Sequence, residues 1–333
     1  QNISVSLNAS GNAIITAAQI NNGSTDNCGI ASVTVSKTNF NCSNLGDNTV
    51  TLTVTDNNGN TSTKTATVTI VDNIAPTVIT KNITVALDAN GNANITTGQV
   101  NNGSFDNCNL TLSVDKTSFN CNDLGTQTVT LTGTDASGNT ASATATVIVV
   151  DNTAPTVITQ NISVSLNTSG NAIITATQIN NGSSDNCGIA SMTLSKTSFD
   201  CSNIGVNTVT LTVTDNNGNT STKTATVTIV DNIAPTVITK NVTVALNANG
   251  NANITIGQIN NGSFDNCSLT LSVDKTSFNC NDLGTQTVTL TGTDASGNTA
   301  SATATVTVID NIAPVFTSAP TNKTYQAENG NCT

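Results

Sequence analysis

The sequence contains no tryptophan, no arginine and no histidine, and aromatic residues make up only 2% of its 333 residues. Without histidine it lacks the side chain that most often acts as a general base near neutral pH. It also lacks a Ser/His/Asp or Cys/His constellation and a phosphate-binding glycine motif. Carbohydrate-binding modules usually present Trp or Tyr platforms, and the only residue of this kind is Tyr325. We therefore expect no catalytic residue and no enzymatic activity.

Charge is also scarce, since charged residues make up 9% of the chain and give a formal net charge of −11. Nucleic acids and anionic membranes require basic surfaces, so neither is an expected partner. No run of 18 or more apolar residues predicts membrane insertion. No signal-peptide pattern is found either. Because the sequence starts and stops within a repeated unit, we expect it to be a segment of a longer exported chain.

The chain is rich in Val, Ile and Thr, which favour β-strands. In the region 50–70, apolar residues alternate with Thr, as at Val50, Leu52 and Val54. This period of two is typical of a strand with one buried face and one wet face. The Gly/Asn-rich stretch 57–60 separates two such runs and predicts a hairpin. The sequence predicts an all-β fold of immunoglobulin-like sandwiches, each with six or seven short strands.

A landmark of the form Asp-Asn-(Ile/Thr)-Ala-Pro recurs at Asp72, Asp151, Asp231 and Asp310, and it divides the chain into units of about 80 residues. Residues 1–80 differ from residues 160–239 at only nine positions, whereas neighbouring units differ more, so the duplicated element was a pair of units. We expect tandem domains arranged as an extended rod, with the linkers stiffened by proline. The predicted ranges are 1–75 (repeat one), 76–154 (repeat two), 155–234 (repeat three), 235–313 (repeat four) and 314–333 (the start of a fifth).

Each repeat contains two cysteines, and even cysteine usage in a small β domain indicates disulfides in an oxidising compartment. We predict that the two cysteines of each repeat pair with each other, closing loops of about 15 residues. Zinc is the alternative, but the wide spacing of the two cysteines and the lack of histidine fit it poorly. Cys332 falls outside the pattern, and its predicted partner lies beyond Thr333. The predicted pairs are Cys28–Cys42, Cys108–Cys121, Cys187–Cys201 and Cys267–Cys280.

Three aspartates recur in every repeat, one before Asn-Cys, one in the last hairpin and one at the exit. In an immunoglobulin-like sandwich the first two lie at the end where the chain enters, so they should meet the exit aspartate of the preceding repeat. Calcium takes six to eight oxygen ligands, and such junctions suit it. The alternative is that these aspartates only form turns. The predicted calcium ligands are Asp72, Asp106 and Asp135, then Asp151, Asp185 and Asp215, then Asp231, Asp265 and Asp294.

The combined motif resembles a known class of repeat. The motif consists of Asp26-Asn27-Cys28-Gly29, Ser-Lys-Thr-x-Phe-x-Cys at 36–42 and Val-Asp-Asn-Ile-Ala-Pro at 71–76. It is similar to the HYR-like, immunoglobulin-like repeats of giant Bacteroidota cell-surface adhesins, including the SprB type of gliding-motility adhesin. The resemblance covers essentially the whole chain. It implies secretion through the type IX system, attachment to the outer membrane and a filamentous role.

These features predict an extracellular, cell-surface structural stalk that projects or multiplies adhesive contacts and that requires no cofactor, with Ca²⁺ as the candidate ion. Its expected partners are neighbouring repeats of the same chain and an external surface. Two alternatives remain open. In one, the repeats themselves bind polysaccharide; in the other, the chain is an accessory module of a secreted enzyme.

Overall fold

The computed structural model describes residues 1–316, which fold into four units with the same order of elements. Each unit has six strands, a one-turn α-helix (α) and a one-turn 3₁₀ helix (η). Repeat one contains β1 (Ile3–Ser6), β2 (Asn12–Ile14), α1 (Ala17–Ile20), β3 (Ile30–Val35), β4 (Asn39–Asn41), η1 (Cys42–Asn44), β5 (Gly46–Asp56) and β6 (Thr61–Val71). Repeat two contains β7 (Ile83–Ala86), β8 (Asn92–Asn94), α2 (Thr97–Val100), β9 (Leu110–Val114), β10 (Ser118–Asn120), η2 (Cys121–Asp123), β11 (Gly125–Asp135) and β12 (Thr140–Val150).

The second pair of repeats has the same elements. Repeat three contains β13 (Ile162–Ser165), β14 (Asn171–Ile173), α3 (Ala176–Ile179), β15 (Ile189–Leu194), β16 (Ser198–Asp200), η3 (Cys201–Asn203), β17 (Gly205–Asp215) and β18 (Thr220–Val230). Repeat four contains β19 (Val242–Ala245), β20 (Asn251–Asn253), α4 (Ile256–Ile259), β21 (Leu269–Val273), β22 (Ser277–Asn279), η4 (Cys280–Asp282), β23 (Gly284–Asp294) and β24 (Thr299–Ile309). The boundaries given above for the repeats stay predictions, and the ranges serve as names.

Each repeat is a β-sandwich of a four-stranded and a two-stranded sheet. In repeat two the larger sheet has the order β7-β12-β11-β9, with β7 parallel to β12 and the other pairs antiparallel. The smaller sheet pairs β8 with β10. The long hairpin β11–β12 therefore turns at one end of the repeat, and β12 carries the chain to the other end. We call these the entry end and the exit end.

The core of each repeat lies between its two sheets and follows the predicted alternation. In repeat two, Phe119 of β10 packs against Val129 and Leu131 of β11 and against Val147 and Val149 of β12, and all five are buried. The Thr residues between them point away from this core. The sandwich architecture predicted from the period of two is thus confirmed. Phe119 is the one large aromatic side chain in this small core, so the remaining volume is filled by aliphatic residues.

The short helix of each repeat is stabilised locally. In repeat two, the backbone N–H of Thr96 donates to Oε1 of Gln99 at 2.7 Å, which completes a capping box, and Val100 at the end of the helix is buried. The incoming linker then pairs with the segment after this helix, because Thr77 bridges to Phe105 and Thr80 to Asn101. The linker is therefore part of the repeat that it enters.

The backbone contacts divide the chain into two compact units. One consists of 1–157, 183–191 and 213–221, and the other of 158–182, 192–212 and the described residues from 222 onwards. The first holds repeats one and two together with the entry-end loops of repeat three. The second holds the rest of repeat three and repeat four. Among residues 1–316, no helix is long and apolar enough to cross a membrane. Most of the predicted fifth repeat, Tyr325 and Cys332 lie outside the described residues.

Candidate metal centres at the repeat junctions

The structure brings the nine predicted aspartates together in three groups of three, one at each junction between successive repeats. In each group one carboxylate oxygen from every member lies within 4.8 Å of the others. Two groups lie in the first compact unit and the third lies in the second. The groups are Asp72, Asp106 and Asp135; Asp151, Asp185 and Asp215; and Asp231, Asp265 and Asp294.

At the first junction, Asp72 comes from the repeat that the chain is leaving. It follows the last strand of repeat one and is only 4% exposed. Its Oδ1 accepts the backbone N–H of Ile74 and the side-chain amide of Asn107, both at 3.1 Å. Its backbone carbonyl accepts the side-chain amide of Asn139 at 2.9 Å. These bonds fix the carboxylate at the junction and leave Oδ2 without a hydrogen-bond partner.

The loop 106–108 of repeat two, Asp-Asn-Cys, supplies further oxygens from the other side of the junction. Oδ2 of Asp106 accepts the backbone N–H of Cys108 at 2.8 Å, which orients the carboxylate. Oδ1 of Asp106 and Oδ1 of Asn107 are both buried and have no hydrogen-bond partner. We call residues 106–108 the DNC arm. The two unpartnered oxygens of the DNC arm and the unpartnered Oδ2 of Asp72 lie at the same junction.

The third carboxylate, Asp135, belongs to the last residue of β11, where the turn to β12 begins, and is 6% exposed. Its Oδ1 accepts the backbone N–H groups of Ser137 and Asn139, and its Oδ2 accepts the side-chain amide of Asn139 at 2.7 Å. The turn and the junction are therefore one structure, since Asn139 also bonds to Asp72. Asp135 therefore forms the turn and also lies beside the other two carboxylates, and its role as a calcium ligand stays a prediction.

The three unpartnered oxygens form an acceptor set that fits a divalent cation. Buried carboxylates and amide oxygens without a donor are costly, and three carboxylates so close repel one another. The two ion pairs of residues 1–316, Lys116–Asp123 and Lys275–Asp282, lie elsewhere. Hard oxygen ligands favour calcium or magnesium over zinc or copper. The residues that would hold such a cation are Asp72, Asp106, Asn107 and Asp135.

The other junctions repeat this pattern atom for atom. Asn186 donates to Oδ1 of Asp151, and Asn266 donates to Oδ1 of Asp231, both at 3.1 Å. The same three oxygens per junction lack partners. They belong to Asp151, Asp185 and Asn186 at the second junction and to Asp231, Asp265 and Asn266 at the third.

The hairpin aspartates of the second and third junctions stay ionised. Burial raises the pKa of Asp215, but hydrogen bonds from the Asn219 side chain and from nearby backbone N–H groups outweigh it, so the pKa lies below its ordinary value. Asp294 has a lowered pKa for the same opposing causes, with Asn298 as the donor. A carboxylate that stays charged in a buried site favours a cation over a shared proton.

The disulfides differ from the prediction, because the cysteines pair between neighbouring repeats and not within them. The bonds are Cys42–Cys108, Cys121–Cys187 and Cys201–Cys267. The predicted pairs Cys28–Cys42, Cys108–Cys121, Cys187–Cys201 and Cys267–Cys280 are therefore wrong. The reason is that the two cysteines of a repeat lie at opposite ends. Cys28 contacts the hairpin residue Asn57 at the entry end, whereas Cys42 contacts Gly11 and Asn107 at the exit end.

Two cysteines remain free and exposed among the described residues. Cys28 lies at the entry end of repeat one, and Cys280 lies at the exit end of repeat four. Each occupies the position of a disulfide-bonded cysteine in the neighbouring repeats. The partner predicted for Cys332 lies outside the sequence, and Cys332 itself lies outside the described residues.

A glycine permits the close approach of the two repeats at each disulfide. Gly11 has a φ of +69°, and a Cβ there would lie 2.5 Å from the carbonyl oxygen of Asn107 and 2.7 Å from Sγ of Cys42. The DNC arm can reach repeat one only because this side chain is absent. Gly91 and Gly170 occupy the same place at the next two junctions.

The candidate ligands that the sequence analysis did not name are the asparagines of the DNC arm and its equivalents, Asn107, Asn186 and Asn266. The signal was present, since Asp-Asn precedes Cys in every repeat. Pattern analysis favours carboxylates over amides as metal ligands, and only the structure reveals that the amide oxygen is buried while the amide nitrogen bonds to the exit aspartate.

A cavity of about 520 Å³ on repeat one lies beside its N-terminal residues and is open to solvent. Its lining includes Ile20, Gly23, Ser24 and Thr25. On repeat two the corresponding loop is covered by the incoming linker, where Thr77 pairs with Phe105. The cavity therefore marks the surface on which a linker packs in the following repeats.

No protein-family model and no curated protein matches this sequence. Solved structures with a similar chain course exist. They include extracellular domains 1–4 of the protocadherin PcdhgB3 (TM-score 0.31, 13% identity, 93% of this chain and 99% of that chain), domains 1–4 of Drosophila N-cadherin (0.30, 13%, 92% and 98%) and immunoglobulin domains 1–5 of Sidekick-1 (0.32, 10%, 93% and 79%). These low TM-scores assign no function to the chain.

Proposed function

We propose that this chain is a structural segment of an extracellular adhesion protein whose repeat junctions are stiffened by calcium. The observation that supports the proposal is the set of three buried oxygens without hydrogen-bond partners at each junction. One oxygen comes from the preceding repeat and two come from the following repeat, so a bound cation joins the two repeats. The chain requires no catalytic site for this role.

Calcium suits these sites better than magnesium on two grounds. Magnesium demands near-ideal octahedral geometry and sheds water reluctantly, whereas calcium accepts irregular sets of carboxylate and amide oxygens. The exit aspartate, the DNC arm and the hairpin aspartate form such an irregular set. Water completes the coordination, since four protein residues supply fewer than the six to eight ligands that calcium takes.

The cellular setting belongs to the same proposal. Disulfides form and persist in oxidising compartments, and three of them lie among residues 1–316. The motif resemblance given above points to giant Bacteroidota surface adhesins, with export by the type IX system and a role in adhesion or gliding motility. In that setting the repeats form a stalk that carries adhesive contacts away from the cell surface.

Calcium titration of the intact chain tests the proposal, with isothermal titration calorimetry as the readout. We expect three calcium ions per chain. Asp106→Asn should lower the number of high-affinity sites to two. The matched control is Asp26→Asn, which changes the equivalent aspartate of repeat one; that residue is exposed and has no exit aspartate beside it in the described chain. Absence of calcium binding, or three undiminished sites in Asp106→Asn, would overturn the proposal.

A further inference from the structure

The order of the disulfides along the chain determines which residues carry a pulling force. Each bond joins cysteines 66 residues apart, and the three closed loops do not overlap. They enclose 42–108, 121–187 and 201–267. A force applied at the two ends of the chain passes through a disulfide and leaves the enclosed loop unloaded. Together the three loops remove more than half of the chain from the force-bearing path.

Little chain remains under load in the middle repeats. The loaded segment between Cys108 and Cys121 contains only the two short strands β9 and β10. Fully extended, this segment spans about 45 Å. The strand β11 of the folded repeat already spans about 36 Å. Complete unfolding of repeat two therefore lengthens the loaded path by only a small fraction of what a repeat without the disulfides would release.

We propose that the disulfides between repeats make the part of the chain from Cys42 to Cys267 a tether of nearly fixed length, in which repeats two and three can lose their fold under tension while this part hardly lengthens. The two loaded segments, 108–121 and 187–201, are joined to their neighbours through sulfur–sulfur bonds. The linkers with Asp72 and Asp151, and the hairpins with Asp135 and Asp215, all lie inside the unloaded loops. The inference depends on covalent connectivity alone and is independent of calcium.

The within-repeat pairing expected from the sequence would give the opposite mechanics. It would enclose only one short segment per repeat and leave the long strands, such as β11 and β12, in the loaded path. Each repeat would then lengthen by roughly 200 Å or more when it unfolds. The two connectivities thus differ severalfold in the extension that force can extract.

Single-molecule force-clamp spectroscopy of the full chain tests this inference, with enzymatic tags at both termini as handles so that no cysteine is used for attachment. The first phase holds the oxidised chain at a force that unfolds the repeats. The second adds dithiothreitol. Each disulfide then takes two electrons and two protons from the dithiol, which leaves as its cyclic disulfide, and two protein thiols form.

We expect little extension from repeats two and three before the reductant is added and three steps of about 230 Å afterwards, one for each released loop of 66 residues. The variant Cys42→Ser/Cys108→Ser should show two such steps. Cys28→Ser/Cys280→Ser, which changes only free cysteines, should show three. Steps of about 45 Å after reduction, or full lengthening of repeats two and three before reduction, would refute the inference. Because the wild-type chain alone gives the step size, the test stands even if a variant folds poorly.

Discussion

Single residues distinguish the two repeat types at the same structural position. The N–H group of Thr130 in repeat two donates to the carboxylate of Asp115 at 2.8 Å, and Thr289 in repeat four donates to Asp274. In repeat one the equivalent N–H of Thr51 donates to the hydroxyl of Ser36. Repeats two and four therefore use an ionisable acceptor where repeats one and three use a neutral one.

This difference predicts that acid weakens this particular hydrogen bond in the even repeats and not its counterpart in the odd repeats. The hydrogen bond from the backbone of Thr130 lowers the pKa of Asp115 below 3.8, and that of Thr289 does the same for Asp274. A carboxyl whose pKa is lower in the folded state stabilises the fold above its unfolded pKa, and this contribution is lost as pH falls through the folded pKa. Thermal unfolding of Asp115→Ser/Asp274→Ser and of the wild type, at pH 6 and at about pH 2.5, measures this lost contribution. The melting temperature of the wild type should fall further on acidification than that of the variant. Equal losses in the two proteins would contradict the prediction.

Gly11 gives a second prediction at this scale. Gly11→Ala places a methyl group where the DNC arm approaches repeat one, so the arm shifts without the loss of any ligand or sulfur. We expect calcium affinity at the first junction to fall at least tenfold while the other two sites are unchanged. The control is Gly23→Ala, since Gly23 also has positive φ but a Cβ there meets nothing within 4 Å. Three equal sites in Gly11→Ala would contradict the role given to this glycine.

At the scale of elements, the disulfide couples strands of two different repeats. Cys42 follows β4 of repeat one and Cys108 precedes β9 of repeat two. The closed loop, with its separation of 66 residues, holds β5 to β8 and the linker between them. In the chain-entropy account, a loop of this length adds about 4 kcal/mol by restricting the unfolded chain.

We therefore expect Cys42→Ser/Cys108→Ser to destabilise the end of repeat one and the start of repeat two together. Hydrogen exchange should accelerate both in β6 of repeat one and in β7 of repeat two, since the two strands lose the same restraint. Exchange in β23 and β24 of repeat four should stay as in the wild type. Acceleration confined to one of the two repeats would contradict the coupling.

The sequence predicted more of the elements than of their connections. Alternation of Val and Leu with Thr was enough to predict the strands, because a two-sided sheet requires that period. The sandwich topology then predicted which aspartates meet, and the grouping of Asp72, Asp106 and Asp135 is present. The same topology places Cys108, two residues after Asp106, at the entry end and away from Cys121. The within-repeat pairing is wrong because cysteines close in sequence lie at opposite ends of the folded repeat.

At the scale of the whole molecule, the junctions combine a covalent bond with a cluster of negative charge. Without a cation, the three carboxylates at each junction repel one another, and this repulsion favours separation of the exit aspartate from the DNC arm. The disulfide opposes this separation because Cys108 is the last residue of that arm. A cation bound at the proposed site and the disulfide would restrain the same pair of repeats from neighbouring points.

Small-angle scattering of the full chain checks this combination. We expect a chelator to change the scattering profile modestly in the oxidised chain and more strongly after reduction, because only then does the junction lose both restraints. Calcium should reverse the effect of the chelator. A control with the triple variant Asp106→Asn/Asp185→Asn/Asp265→Asn should respond less to the chelator. Identical profiles under all conditions would contradict a restraining role for the cation.

The loops closed by the disulfides also bear on survival outside the cell. Lys64 and Lys81 lie within the loop 42–108, so a protease that cuts after either lysine nicks the chain without severing it. The Cys42–Cys108 bond keeps both pieces attached. Lys116 lies in the short segment between Cys108 and Cys121, where a cut separates the two halves of the molecule. The places at which digestion can break the chain in its central part are thereby reduced to two short segments, 108–121 and 187–201.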